Sequence, residues 1–132
     1  MGTLRYAMLG LIQRAPATGY DISKAFSGRL GSIWGARHSQ IYPELKKLTE
    51  EGLVNCTVIS ELQEKKLYSI TEAGKEAFRA WLLSDEDEYR PPKDTLRLKL
   101  YFCETLEPEE YLSVLLRARE QHIRRVKWMR AH

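Results

Sequence analysis

Between Ser39 and Thr71 the hydrophobic pattern changes period, and this limits the fold more than any other feature. Ile41, Leu45 and Leu48 recur at spacings of four and three, as on one buried face of a helix. Gly52 then stands where a helix ends in a left-handed turn. Immediately after it, Leu53–Ser60 and Lys65–Thr71 are rich in β-branched and aromatic residues. Glu61-Leu62-Gln63-Glu64 lies between them as a turn. A helix running directly into an antiparallel hairpin must pack against other helices, because a lone hairpin is marginal in water.

Those helices are legible upstream. Leu4–Gln13 places Leu4, Met8, Leu11 and Ile12 on one face. Ala15-Pro16-Ala17 breaks it, and the Thr18 hydroxyl suits the N-cap of a second helix, Gly19–Ser27. Gly28, Gly31 and Gly35 punctuate a loop carrying Ile33 and Trp34, the latter a core residue. The third helix is expected from Ser39, its N-cap, with Pro43 in its first turn. Thr71 caps a further helix to about Leu83, bearing Phe78, Trp81 and Leu82. Three helices, a two-stranded wing and a helix make a winged helix-turn-helix over residues 1–83.

Beyond it, Asp85-Glu86-Asp87-Glu88 and Pro91-Pro92 predict a solvated acidic linker over 84–94. Residues 95–132 predict a helix over Thr95–Thr105 and a last one opening at Pro108. The last helix carries Leu112, Leu115, Leu116, Ile123, Val126 and Met129, and reaches His132 without a stop signal. That pattern favours a self-association seam over the alternative of a helix folded back on its own domain, and it is also the pattern expected if the helical region is truncated. The fold class is therefore mainly α with a small β-hairpin: a winged helix-turn-helix followed by a C-terminal helical dimerisation region.

Charge divides along the same lines. Lys and Arg lead Asp and Glu by 11 to 8 in residues 1–83, trail by 4 to 9 in 84–110 and lead by 6 to 1 in 111–132. The third helix has a polar, basic front of Gln40, Tyr42, Lys46 and Lys47. A helix of that kind fits the DNA major groove. Gln40 suits a bidentate contact to a base edge, while Ser39, Tyr42, Lys46 and Lys47 reach phosphates. Lys65 and Lys66 can touch the backbone beside the groove. Thr18 and Tyr20 open a helix whose N–H groups could receive a phosphate, and Arg5 and Arg37 are further cations within reach.

Other classes fare worse. No Gly-rich phosphate loop, HExxH or nucleophile elbow is present, so no catalytic set and no enzyme is expected. Cys56 and Cys103 are too few for a zinc site or a disulfide scaffold, and no metal is expected. No apolar run is long enough for a membrane span, and Met1–Gly10 lacks a signal-peptide layout, which favours the cytoplasm. Trp81 and Trp128 are candidates for lining an effector pocket, although core packing is the simpler role for each. A winged-helix module that docks protein instead of DNA is the alternative.

Three motifs in order carry a resemblance. They are Tyr6-Ala7-Met8-Leu9-Gly10-Leu11-Ile12 followed by Gly19-Tyr20-Asp21-Ile22, then Gln40–Leu48 followed by Glu51-Gly52-Leu53-Val54, then Tyr68-Ser69-Ile70-Thr71-Glu72-Ala73-Gly74-Lys75. Together they resemble PadR-type transcriptional regulators, strongly over 4–83 and more loosely over 94–132. The resemblance implies a homodimeric bacterial DNA-binding regulator, usually a repressor, that answers to a small aromatic or phenolic effector and needs no cofactor. Glu61 and Glu64 depart from the family's basic wing.

Overall fold

A computed structural model describes residues 2–131 except Glu86, Glu88, Pro91 and Pro92. The side chains of His38, Tyr89, Arg90 and Lys93 also lie outside the described residues. The chain runs α1 (Thr3–Arg14), β1 (Ala17–Thr18), α2 (Gly19–Phe26), α3 (Arg29–Ile33), α4 (His38–Glu50), β2 (Val54–Ser60), β3 (Lys65–Ile70) and α5 (Glu72–Leu83). Then follow β4 (Tyr89–Arg90), β5 (Lys93–Asp94), α6 (Thr95–Tyr101), a 3₁₀ turn (Cys103–Thr105) and α7 (Pro108–Ala131).

α1 is the centre of the core. Ala7, Met8, Leu9 and Ile12 are fully enclosed, with Ile41, Leu45 and Leu48 of α4 and Phe78 and Leu82 of α5 in the same cluster. The sheet order is β1-β3-β2, antiparallel throughout. The two-residue β1 is an unexpected third strand: Ala17 pairs with Tyr68 and Thr18 with Leu67. This ties the start of α2 to the wing.

The end of α4 follows the sequence closely. Leu53 N–H donates to the Leu48 carbonyl at 3.0 Å and Gly52 N–H to the Thr49 carbonyl at 3.1 Å, with Gly52 at φ +74. This pair of bonds is the Schellman termination. An added Cβ at Gly52 has open space around it, so only the backbone conformation opposes substitution. Gly52→Ala should therefore cost about 1 kcal/mol, read as a lower denaturant midpoint at unchanged m.

Several expectations need correction. The glycine-punctuated loop contains α3, so the basic helix is the fourth, not the third. Gly31 is there because a Cβ would stand 2.1 Å from the Phe26 carbonyl oxygen. α4 begins at His38, one residue before Ser39, with Arg37 as N-cap. Pro43 accordingly sits in the second turn and leaves the Ser39 carbonyl without the N–H it would receive there.

The division at 84–94 does not separate two cores. Leu98 and Phe102 join the front cluster, and a Cβ on Gly10 would stand 2.6 Å from the Phe102 ring. Arg14 clasps the same region, its guanidinium 4.5 Å from the centre of the Tyr101 ring and 2.5 Å from Glu104. Of the acidic run, Glu86 and Glu88 lie outside the described residues, as do Pro91 and Pro92. Asp87 is described, and it is not solvated. Its carboxylate is 2% exposed, 2.7 Å from Lys99 Nζ and 2.9 Å from Arg117 Nε.

Candidate nucleic-acid interface

α4 divides by burial as its spacing requires. Ile41, Leu45 and Leu48 are buried, while Ser39, Gln40, Tyr42, Lys46 and Lys47 are exposed. Gln40 also closes the start of the helix, where its Oε1 accepts the Arg37 N–H at 3.0 Å. The amide oxygen thus spends one of its two lone pairs on the cap.

Tyr42 lies across the start of α2. A Cβ on Gly19 would come within 2.4 Å of the Tyr42 ring. A side chain at Gly19 would displace the Tyr42 ring, and the constraint is this close approach and not the backbone angles of Gly19. Thr18 is buried, and its hydroxyl accepts the Asp21 N–H at 3.1 Å while the Asp21 carboxylate accepts the Thr18 N–H at 3.0 Å. This reciprocal cap commits the Thr18 hydroxyl to the fold. The Thr18 backbone N–H, then its hydroxyl, hold the Asp21 carboxyl below the usual carboxylate range. An anion thus already stands at the α2 N-terminus. Tyr20, 66% exposed, faces out from this turn, as does Asp21.

The wing completes an open groove of about 950 Å³. Tyr20, Tyr42 and Lys46 form one wall, and Lys65 and Lys66 form the other. Its lining also includes Cys56, Val58 and Tyr68, which no sequence pattern marks as exposed to a groove. Cys56 and Tyr68 are cross-strand partners. Burial, with the Cys56 thiol beside it, pushes the Tyr68 hydroxyl up to about 12, so it stays protonated. Among the described residues, Lys46, Lys47, Lys65 and Lys66 are exposed and form no ion pair. Arg5 is different. It is buried between Glu44, at 3.2 Å, and Glu51, and is unavailable to a phosphate. Arg37 is exposed at the head of α4.

An exposed polar helix face beside a lysine-bearing wing is a nucleic-acid-binding layout, and the family pattern agrees with it. The sequence pattern of the transcriptional regulator PadR-like family matches residues 8–80. The chain belongs to the PadR-like family of transcriptional regulators. The negative transcriptional regulator PadR of Bacillus subtilis is 43% identical over 112 residues, which are 83% of this chain and 62% of that protein. This PadR-like chain thus spans less than two thirds of that relative's length. The crystal structure of Bacillus subtilis PadR in complex with operator DNA superposes with a TM-score of 0.63 at 34% identity, over 98% of this chain and 75% of that one. The same protein in complex with p-coumaric acid superposes with a TM-score of 0.58 at 34% identity, over 97% and 72%.

The remaining predicted positions of this PadR-like chain lie away from the groove. Trp81 is a core residue, its ring 5.2 Å from Tyr6 and near-parallel, with Phe78 on the same stack. Trp128 is 63% exposed on α7. Leu112, Leu115, Leu116 and Ile123 are exposed along α7, and Val126 is half-buried. Among the described residues, no group of three His, Cys, Asp or Glu side chains could hold a metal ion. Burial pushes the Cys103 thiol up to about 11, which leaves it unreactive. No helix among the described residues is long and apolar enough to cross a membrane.

Proposed function

We propose that this chain is a cytoplasmic, homodimeric DNA-binding regulator, a repressor of the PadR type, that binds a pseudo-palindromic operator. The juxtaposition of Tyr42 and Lys46 of α4 with Lys65 and Lys66 of the wing around one open groove carries this reading, with Ser39, Gln40 and Lys47 exposed on the same helix outside the lining and Glu50, Glu61 and Glu64 within it. Ser39, Gln40 and Tyr42 meet base edges and adjacent phosphates. Lys46, Lys47, Lys65 and Lys66 neutralise the backbone. Tyr20 flanks them, and Thr18 serves by holding the α2 cap. The relative's operator complex supports the assignment.

α7 supports the second copy. Glu110, Val114, Arg117, Gln121 and Arg125, at spacings of four, three, four and four, form its inward stripe, with Val114 buried and three of the charged residues paired to the body. The apolar Leu112, Leu115, Leu116 and Ile123 face outward. A soluble amphipathic helix normally does the reverse. An isologous contact through Leu112, Leu115, Leu116, Ile123 and Val126 covers that stripe. We assign recognition to residues 1–83 with α6 packed on them, the connection to 84–94, and dimerisation to α7 within 95–132. An aromatic or phenolic effector is supported by the relative's p-coumaric acid complex, with Trp128 the more accessible of the two tryptophans.

Protein docking through the wing is the second reading. Leu62 at its tip is 100% exposed, with Val58 and Ile59 also exposed on β2. Fluorescence anisotropy on duplexes from the protein's own upstream region, at two salt concentrations and against a scrambled duplex, separates the readings. Salt-sensitive, sequence-selective binding is expected. Absence of binding at low salt refutes the DNA reading and leaves wing docking.

Gln40→Ala should cost about 1–3 kcal/mol at a single base position and little elsewhere. A binding-site selection in which the variant shows the same base preference as the parent would exclude a readout role.

A further inference from the structure

α7 meets the rest of the molecule through the buried Val114 and three ion pairs. Glu110 pairs with Arg79 of α5, Arg117 with Asp87, and Arg125 with Asp94 at 4.0 Å. The first and last of these are in contact with water, where an ion pair enforces geometry weakly. In the middle one Asp87 is enclosed at 2% exposure, while Arg117 keeps 20% of its side chain in solvent. Asp87 is gripped on both sides, by Lys99 Nζ on one oxygen and Arg117 Nε on the other. The Lys99 side chain is 0% exposed, and its ammonium also donates to the Ser84 carbonyl at 3.0 Å.

Ser84 directly follows α5, and the other end of α5 is fastened to the end of α4. Thr71, its N-cap, donates through its hydroxyl to the Gly52 carbonyl at 2.7 Å. A continuous series of short contacts, enclosed at Lys99 and Asp87 and open to solvent at Thr71, therefore joins the C-terminus of α4 to α7 through α5, Ser84, Lys99, Asp87 and Arg117. A desolvated charge held from two sides has few alternative positions, because each alternative leaves a buried charge unpaired.

We propose that Asp87 is the positioning residue that sets the separation of the two DNA half-sites, by fixing the angle between α7 and the α4-bearing body. This rests on the dimeric DNA-binding reading above. In a two-fold dimer built on α7, that angle decides how far apart the two α4 helices lie, and hence which half-site spacing both can occupy at once. Asp87 touches no DNA in this arrangement.

The test uses a half-site first selected from a random-sequence duplex pool, then placed as inverted pairs whose centre is lengthened one base pair at a time. The parent chain should favour one spacing over its neighbours by roughly tenfold or more, because avidity is lost when geometry forbids joint engagement. Asp87→Asn should flatten that profile while leaving the affinity for a single half-site unchanged. Arg117→Ala should do the same, and serves if the first variant folds poorly. Arg79→Ala, which removes an exposed pair on the same helix, should keep the sharp optimum. Folded Asp87 and Arg117 variants that keep the parent's optimum overturn the positioning role alone. A parent chain with no spacing preference overturns the dimeric reading and the positioning role together.

Discussion

Replacing Lys46, Lys47, Lys65 and Lys66 together with alanine should abolish most of the salt dependence of DNA binding. Each lysine that neutralises one phosphate contributes about 0.9 to the slope of log affinity against log salt. Four per chain in a dimer make the expected loss of slope roughly 7. Between about 50 and 200 mM salt the parent should then weaken by about ten-thousandfold, whereas the variant should barely change. At the lower salt the variant's affinity should drop by three orders of magnitude or more, roughly the weight of those contacts. All four side chains are exposed and form no ion pair among the described residues, so the fold should tolerate the change. Lys75→Ala is the matched control, since Lys75 already faces Glu72 at 3.4 Å. An unchanged slope in the fourfold variant would place the DNA on another surface. Glu61 and Glu64 stand beside Lys65 and Lys66 at the turn end of the wing, so the tip carries both signs and the contact there should come through the two lysines.

The exposed face of α4 was legible in the sequence because it is set locally. The spacing of Ile41, Leu45 and Leu48 fixes which side of α4 is buried, and Ser39, Gln40, Tyr42, Lys46 and Lys47 fall opposite by geometry alone. Gly52 and Thr71 declare their helix ends through backbone and side-chain chemistry that spans only three or four residues. What escaped depends on distance along the chain or on what a residue touches. Gly31 looked like a loop residue, yet it is small because the Phe26 carbonyl crowds it. Thr18 and Gln40 each looked free to meet DNA, and both are hydrogen-bonded to the backbone three residues away. Asp87 was hidden among four consecutive acids, whose mutual repulsion argues for solvent. Nothing nearby announces Lys99 or Arg117 as its partners. In α7 the period was right, but apart from Val114 the stripe toward the body is polar and ionic and the apolar one faces out, which spacing alone does not reveal.

Asp87→Ala should be the most destabilising of these substitutions. Removing one member of a buried ion pair typically costs about 3–5 kcal/mol, because the other charge is left enclosed. For a domain of this size that is a fall in Tm on the order of 10 °C. Lys99 can relieve part of the strain by losing its proton. Burial already lowers its pKa, and Asp87 is the main influence holding it up. Without Asp87 the folded-state value falls further below that of the unfolded chain. Between those two values the unfolded state binds more protons, so stability rises with pH across the window. The Tm deficit of Asp87→Ala should therefore shrink as the pH is raised from neutral toward the ordinary lysine range. Lys99→Met in the same background removes the titrating group, so the double variant should recover much of the lost stability and show no such pH dependence. A deficit that stays constant with pH in the single variant would mean that Lys99 keeps its proton, with water or another carboxylate taking the place of Asp87.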